Sequence, residues 1–140
     1  MRYSGWGRLM ISDKKNYPAI EAAVADVEAG LAEARRTGKR VIMIFGADWC
    51  PDCGALQSHF DEEANAELVA QHFVLVHVNV GMKDANLEIA QQYGIAVKAI
   101  PALSVVEGDG SVVYAQGDEF SNARSQEPGV VTAFLNKWKT

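Results

Sequence analysis

"FGADWCPDCGAL", Phe45 to Leu56, holds both cysteines of the chain, Cys50 and Cys53, with only Pro51 and Asp52 between them. It follows "VIMIF", Val41 to Phe45, an unbroken apolar run that suits a strand buried on both faces. Gly46 to Asp48 breaks the run, and a helix is expected from Cys50 or Pro51 through Leu56 and Phe60. The two thiols therefore fall where a strand gives way to a helix. Close cysteine pairs serve three chemistries: half of a metal site, a structural bridge, or a working redox pair.

The rest of the chain discriminates among them. Structural zinc takes four N or S ligands. No second cysteine pair exists, and of His59, His72 and His77 only the last two are near one another in sequence. His72 falls at a helix end and His77 in mid-strand, so convergence on Cys50 is not expected and no metal is assigned. Nor does one pair make a disulfide framework. A redox pair fits the setting: free N–H groups and the positive end of the helix dipole stabilise a thiolate at the helix start. Cys50 is thus read as the nucleophile. Cys53, one turn on, faces the same side and can resolve a mixed disulfide intramolecularly. Pro51 is tolerated in the first turn and stiffens it. The Asp52 carboxylate repels a nearby thiolate, which makes the couple less oxidising, nearer ~−270 mV than ~−120 mV.

Outward from this motif the periodicities alternate. Ile20, Val24, Val27 and Leu31 recur at helical spacing after Pro18, and "TGKR" at Thr37–Arg40 ends that helix. "FVLVHVNV", Phe73 to Val80, is a valine-rich strand, preceded by further helical turns with Asn65 as a plausible N-cap. A helix follows from Asp84 to Gly94. "ALSVV" and "SVVYAQ" flank "EGDG" and form a hairpin. Pro128 opens a last helix with Val131, Phe134, Leu135 and Trp138 on one stripe. The order α-β-α-β-α-β-β-α gives an α/β fold with a mixed four-stranded sheet. It has a central parallel pair plus an antiparallel hairpin, flanked by helices, with an N-terminal arm and helix.

The chain's 140 residues suit one domain. Residues 1–17 read as a flexible arm and 18–140 as the domain. A hydrophobic fraction of 49% and a net charge of −5 describe an ordinary globular protein and oppose a nucleic-acid footprint. No stretch approaches the ~20 apolar residues of a membrane span. No secretory h-region is visible, so a cytoplasmic location is expected, or a periplasmic one if a signal has been removed. A monomer is expected. The acidic stretch Asp61–Glu63 reads as a solvated helix face and Arg124 as a surface charge.

This order, with Cys-x-x-Cys after the first strand, resembles the thioredoxin superfamily from Ile20 to Trp138. "ADWCPDC" resembles its active-site segment, "YGIAVKAIP" the segment leading to its cis-proline, and "GDGSVVYAQG" the hairpin that follows. More narrowly, the motifs resemble small bacterial thioredoxin-like proteins, some of them disulfide isomerases. The resemblance implies a thiol–disulfide oxidoreductase that reduces or isomerises protein disulfides through Cys50 and Cys53. The alternatives are a net disulfide oxidase or a non-catalytic binding module. It implies support of the substrate by Trp49, Ile100 and Pro101, with Pro101 cis. It also implies an upstream reductase as electron donor and no cofactor beyond the redox-active disulfide. The chain departs from thioredoxin in carrying Ile44 at its buried aspartate and His77 at the neighbouring lysine. Candidates to take the Cys53 proton are then water, the departing thiolate, Asp48 or Asp52 from the rim, and His77. No single obligatory base is expected.

Overall fold

The computed structural model describes residues 16–140; residues 1–15, most of the expected arm, lie outside the described residues. Four strands, β1 (Arg40–Gly46), β2 (Phe73–Asn79), β3 (Ala102–Val106) and β4 (Val112–Gln116), form one sheet in the order β2-β1-β3-β4. β1 runs parallel to β2 with Ile44 opposite His77, and antiparallel to β3 with Phe45 opposite Ala102. The expected mixed sheet is thus formed. β1 is buried from Val41 to Gly46, which explains its unbroken apolar run: helices cover both of its faces and neighbouring strands both of its edges.

Among the described residues five α-helices complete the fold: α1 (Ala23–Thr37), α2 (Pro51–Asp61), α3 (Glu63–His72), α4 (Leu87–Gln92) and α5 (Pro128–Trp138). Three of them differ from expectation. In α1 the buried face is Ala23, Val27, Gly30 and Ala34, while Val24 is exposed. Small residues let this helix lie close on the sheet: a Cβ on Gly30 would stand 2.4 Å from Val76 Cγ2. Asn65 is not an N-cap. Glu62 occupies that position in extended backbone and separates α2 from α3. Asn65 is instead buried within α3, where its Nδ2 donates to the carbonyls of His59 and Pro128, tying α2, α3 and α5 together. α4 starts at Leu87, three residues late, because Lys83 and Asn86 take positive φ values in the preceding loop.

Two segments pack more tightly than their composition suggests. Tyr17, assigned to the arm on sequence, is buried. The segment between β4 and α5 sends Phe120 into the core, edge-on to Phe134 at 5.4 Å. A 3₁₀ turn there, Ala123–Ser125, receives the α2 side chain His59, whose Nε2 lies 3.0 Å from the Ala123 carbonyl.

Candidate active site

β1 ends at Gly46, and Ala47 to Trp49 turn the chain into α2. Cys50 is the N-cap of that helix, with extended φ and ψ, and Pro51 is its first residue. A proline costs nothing there because the first-turn N–H groups have no helical partner. Cys50 Sγ takes the role that serine or aspartate oxygen plays at most helix starts: it accepts the Cys53 N–H at 3.2 Å. A peptide N–H and the helix dipole are thus directed at the sulfur, an arrangement that favours negative charge there. Both cysteines are free thiols. Cys50 retains 6% of its surface and Cys53 2%, so Cys50 is the outer thiol.

Across the cleft, the Ile100–Pro101 peptide is cis and the Ile100 carbonyl oxygen lies 3.7 Å from Cys50 Sγ. Trp49 stands beside the pair with half of its surface exposed, its indole N–H donating to the Gly81 carbonyl at 2.8 Å. Sequence reasoning named Cys50, Cys53, Trp49, Pro51, Ile100 and Pro101, and the fold brings them to one end of the sheet, where central strands β1 and β3 meet at the Phe45–Ala102 pair.

Asp52 behaves differently from the sequence argument. Its Oδ1 accepts the Arg124 backbone N–H at 3.0 Å and the Arg124 Nε–H at 3.2 Å. Arg124 is therefore more than a surface charge. It offsets the negative charge that was expected to act alone on the cysteine pair.

Asp48 and His77 are both engaged elsewhere. Asp48 Oδ1 accepts the backbone N–H groups of Asn16 and Tyr17 at 2.8 and 3.2 Å. His77 Nε2 is 2.7 Å from Gln57 Oε1, and Gln57 gives its own N–H to Asp61. With an amide oxygen as partner, Nε2 carries the hydrogen. Burial holds the His77 pKa below its ordinary value, against the pull of Asp61 and Asp48, so the ring is neutral.

The group that sequence reasoning missed is Tyr17. Its ring meets His77 edge-on, with centroids 5.1 Å apart, and its hydroxyl and the Cys53 sulfur both border the space left at Gly46. Gly46 makes the room: a Cβ there would sit 2.5 Å from Tyr17 Oη and 2.7 Å from Cys53 Sγ. A glycine immediately below a cysteine motif was the one available signal. Burial, then the neighbouring Cys50, push the Cys53 thiol well above its ordinary pKa. Among the described residues, no cluster of three or more His, Cys, Asp or Glu side chains is placed to hold a metal. No helix among them is long and apolar enough to cross a membrane.

Comparison with known proteins agrees with this geometry. A family model described as Thioredoxin-like matches residues 22–108. The crystal structure of a disulphide isomerase from Xylella fastidiosa Temecula1 matches with a TM-score of 0.79 and 40% identity, over 87% of this chain and 96% of that one. Anterior gradient protein 2 of Xenopus tropicalis is 33% identical over 86 residues, 61% of this chain. The thiol:disulfide interchange protein DsbD of Vibrio cholerae is 28% identical over 103 residues, 74% of this chain. The chain spans about half the length of the first of these curated relatives, 52%, and 16% of the second. It belongs to the thioredoxin-like family.

Proposed function

We propose that the protein reduces or isomerises disulfides in other proteins, with Cys50 as nucleophile and Cys53 as resolving thiol. The observation that carries the reading is Cys50 at the N-cap of α2, its sulfur accepting the Cys53 N–H and facing the Ile100 carbonyl next to cis Pro101. The Cys50 thiolate attacks one sulfur of a substrate disulfide. The other sulfur leaves as a thiolate, and a mixed disulfide remains on Cys50. Cys53 then attacks Cys50 Sγ, releasing the second substrate sulfur and closing the Cys50–Cys53 bond. The substrate chain lies along Ile100–Pro101 while the exposed face of Trp49 contacts it. Two electrons pass to the substrate, so an upstream reductase must restore the dithiol. The dithiol carries the electrons itself, and no cofactor or metal is needed.

Isomerisation uses the same first step. If the substrate's own thiol displaces Cys50 before Cys53 does, the substrate leaves rearranged rather than reduced. The similarity to the Xylella disulphide isomerase supports this branch. The direction of net transfer follows from the reduction potential, measured by equilibration with glutathione. A reductase or isomerase is expected near ~−270 to ~−180 mV, whereas a value near ~−120 mV would make the protein a disulfide donor.

A further inference from the structure

Cys53 presents a problem that the fold has to solve. Its thiol must become a nucleophile while almost completely buried, and Ile44 of β1, at the position where thioredoxin carries its buried aspartate, has no polar side-chain atom. Asp48 and His77 have partners of their own, and Asp52 is paired with Arg124 on the outer side of α2. The polar group beside Cys53 is the Tyr17 hydroxyl, which shares with the sulfur the space at Gly46 and is brought there by a strap that precedes α1.

The strap is held on both sides. Asp48 Oδ1 clamps the N–H groups of Asn16 and Tyr17. One residue on, the Pro18 carbonyl accepts from Asn79 Nδ2 at 3.0 Å. The ring is braced edge-on by His77. Gly46, by lacking a Cβ, leaves the space in which hydroxyl and sulfur meet. Four separate features thus converge on placing one phenol oxygen and one thiol beside the same glycine.

We propose that Tyr17 is a catalytic hydrogen-bond donor to Cys53, steadying the thiolate that resolves the mixed disulfide. The inference rests on the disulfide exchange proposed above. In the resolving step Cys53–SH loses its proton and its sulfur bonds to Cys50 Sγ. The bond between Cys50 and the substrate sulfur breaks, and its electron pair leaves on the substrate. The departing thiolate takes up the proton, so thiol is consumed and thiol is produced. Tyr17 keeps its own hydrogen throughout. Burial raises the phenol above its ordinary pKa, with Cys53, Cys50 and Asp48 adding to the effect, which rules it out as a base at neutral pH. A neutral donor opposing burial is the contribution it makes: its hydroxyl and the Ala47 backbone both favour the Cys53 thiolate.

The test compares the reduced wild-type protein with Tyr17→Phe, using 5,5′-dithiobis(2-nitrobenzoate) as probe. The first release of chromophore reports attack by Cys50, and the second reports closure by Cys53. This leaving thiolate is a weak base, so the second phase depends directly on ionisation of Cys53. Loss of a hydrogen bond to a charged group predicts a second phase about tenfold slower at pH 7, with the first within about twofold. The gap should narrow as pH rises. Asp48→Ala, which loosens the strap, should slow the same phase to a smaller degree. Equal second-phase rates and pH profiles in wild type and Tyr17→Phe would overturn the proposal. An independent readout is alkylation of Cys53 by iodoacetamide in a Cys50→Ser background. Tyr17→Phe should again react about tenfold slower at fixed pH, and an unchanged rate overturns the assignment. A wild-type protein inert to the probe, but with Tyr17-dependent alkylation, would refute disulfide exchange and leave the Tyr17 assignment standing.

Discussion

The two sides of the first turn of α2 carry contrasting polar arrangements. On the outer side the partly buried Asp52 carboxylate, 17% exposed, is joined to Arg124, whose side chain is 64% exposed and open to water. On the inner side Cys53 and Tyr17 lie together at Gly46, with His77 edge-on to the tyrosine ring. The outer pair carries full charges and the inner one only a hydroxyl dipole and a thiol. Yet water screens the outer pair, while burial leaves the inner contact unscreened. The inner arrangement should therefore dominate the chemistry although it holds less formal charge.

The largest effect that follows is the tenfold slowing of the resolving phase in Tyr17→Phe. An intermediate effect concerns His77, the brace behind Tyr17. Its folded pKa lies below its ordinary 6.5, so the unfolded chain binds more protons as the pH drops through that value. The stability contributed by the neutral ring is present above about pH 6.5 and is lost below it. Thermal unfolding followed from pH 7.5 to 5.5 should show wild type losing more stability than His77→Gln, the difference isolating this group from the carboxylates. Parallel curves would mean that His77 is not held neutral, and the contrast between the sides would weaken. The smallest effect belongs to the outer side. Arg124→Ala should change the rate of the first chromophore release by less than about fivefold, the range of an exposed ion pair. A change of a hundredfold or more would reverse the comparison and give the surface pair control of the cysteines.

The same contrast separates what the sequence revealed from what it hid. The dithiol, its strand and its helix lie within one short segment, and each is governed by local rules: an apolar run, a glycine break, a proline at the first helical position. The hairpin and α5 were equally legible, because turn residues and a 3.6-residue stripe mark them. Local pattern failed where small residues decide the packing. In α1 the exposed Val24 was counted with the core because valine outranks alanine in hydrophobicity, but the close approach to Val76 at Gly30 selects the alanine face. Asn65 misled in the same way: its side chain satisfies carbonyls from two other segments, a purely tertiary demand. Tyr17 and Arg124 were hidden because their partners, Cys53 and Asp52, are distant in sequence and no periodicity links them.

The measurement that tests the central claim most directly is capture of mixed disulfides in living cells with Cys53→Ser. Removing the resolving thiol should leave substrate proteins attached to Cys50, releasable by reductant. Bait carrying Cys50→Ser alone, with Cys53 kept, should capture none. The compartment, cytoplasm or periplasm, is read from the identity of what is caught. Adducts that persist after Cys50 is replaced, or a Cys53→Ser protein that captures nothing while folded, would contradict the assignment of Cys50 as the nucleophile of a disulfide exchanger.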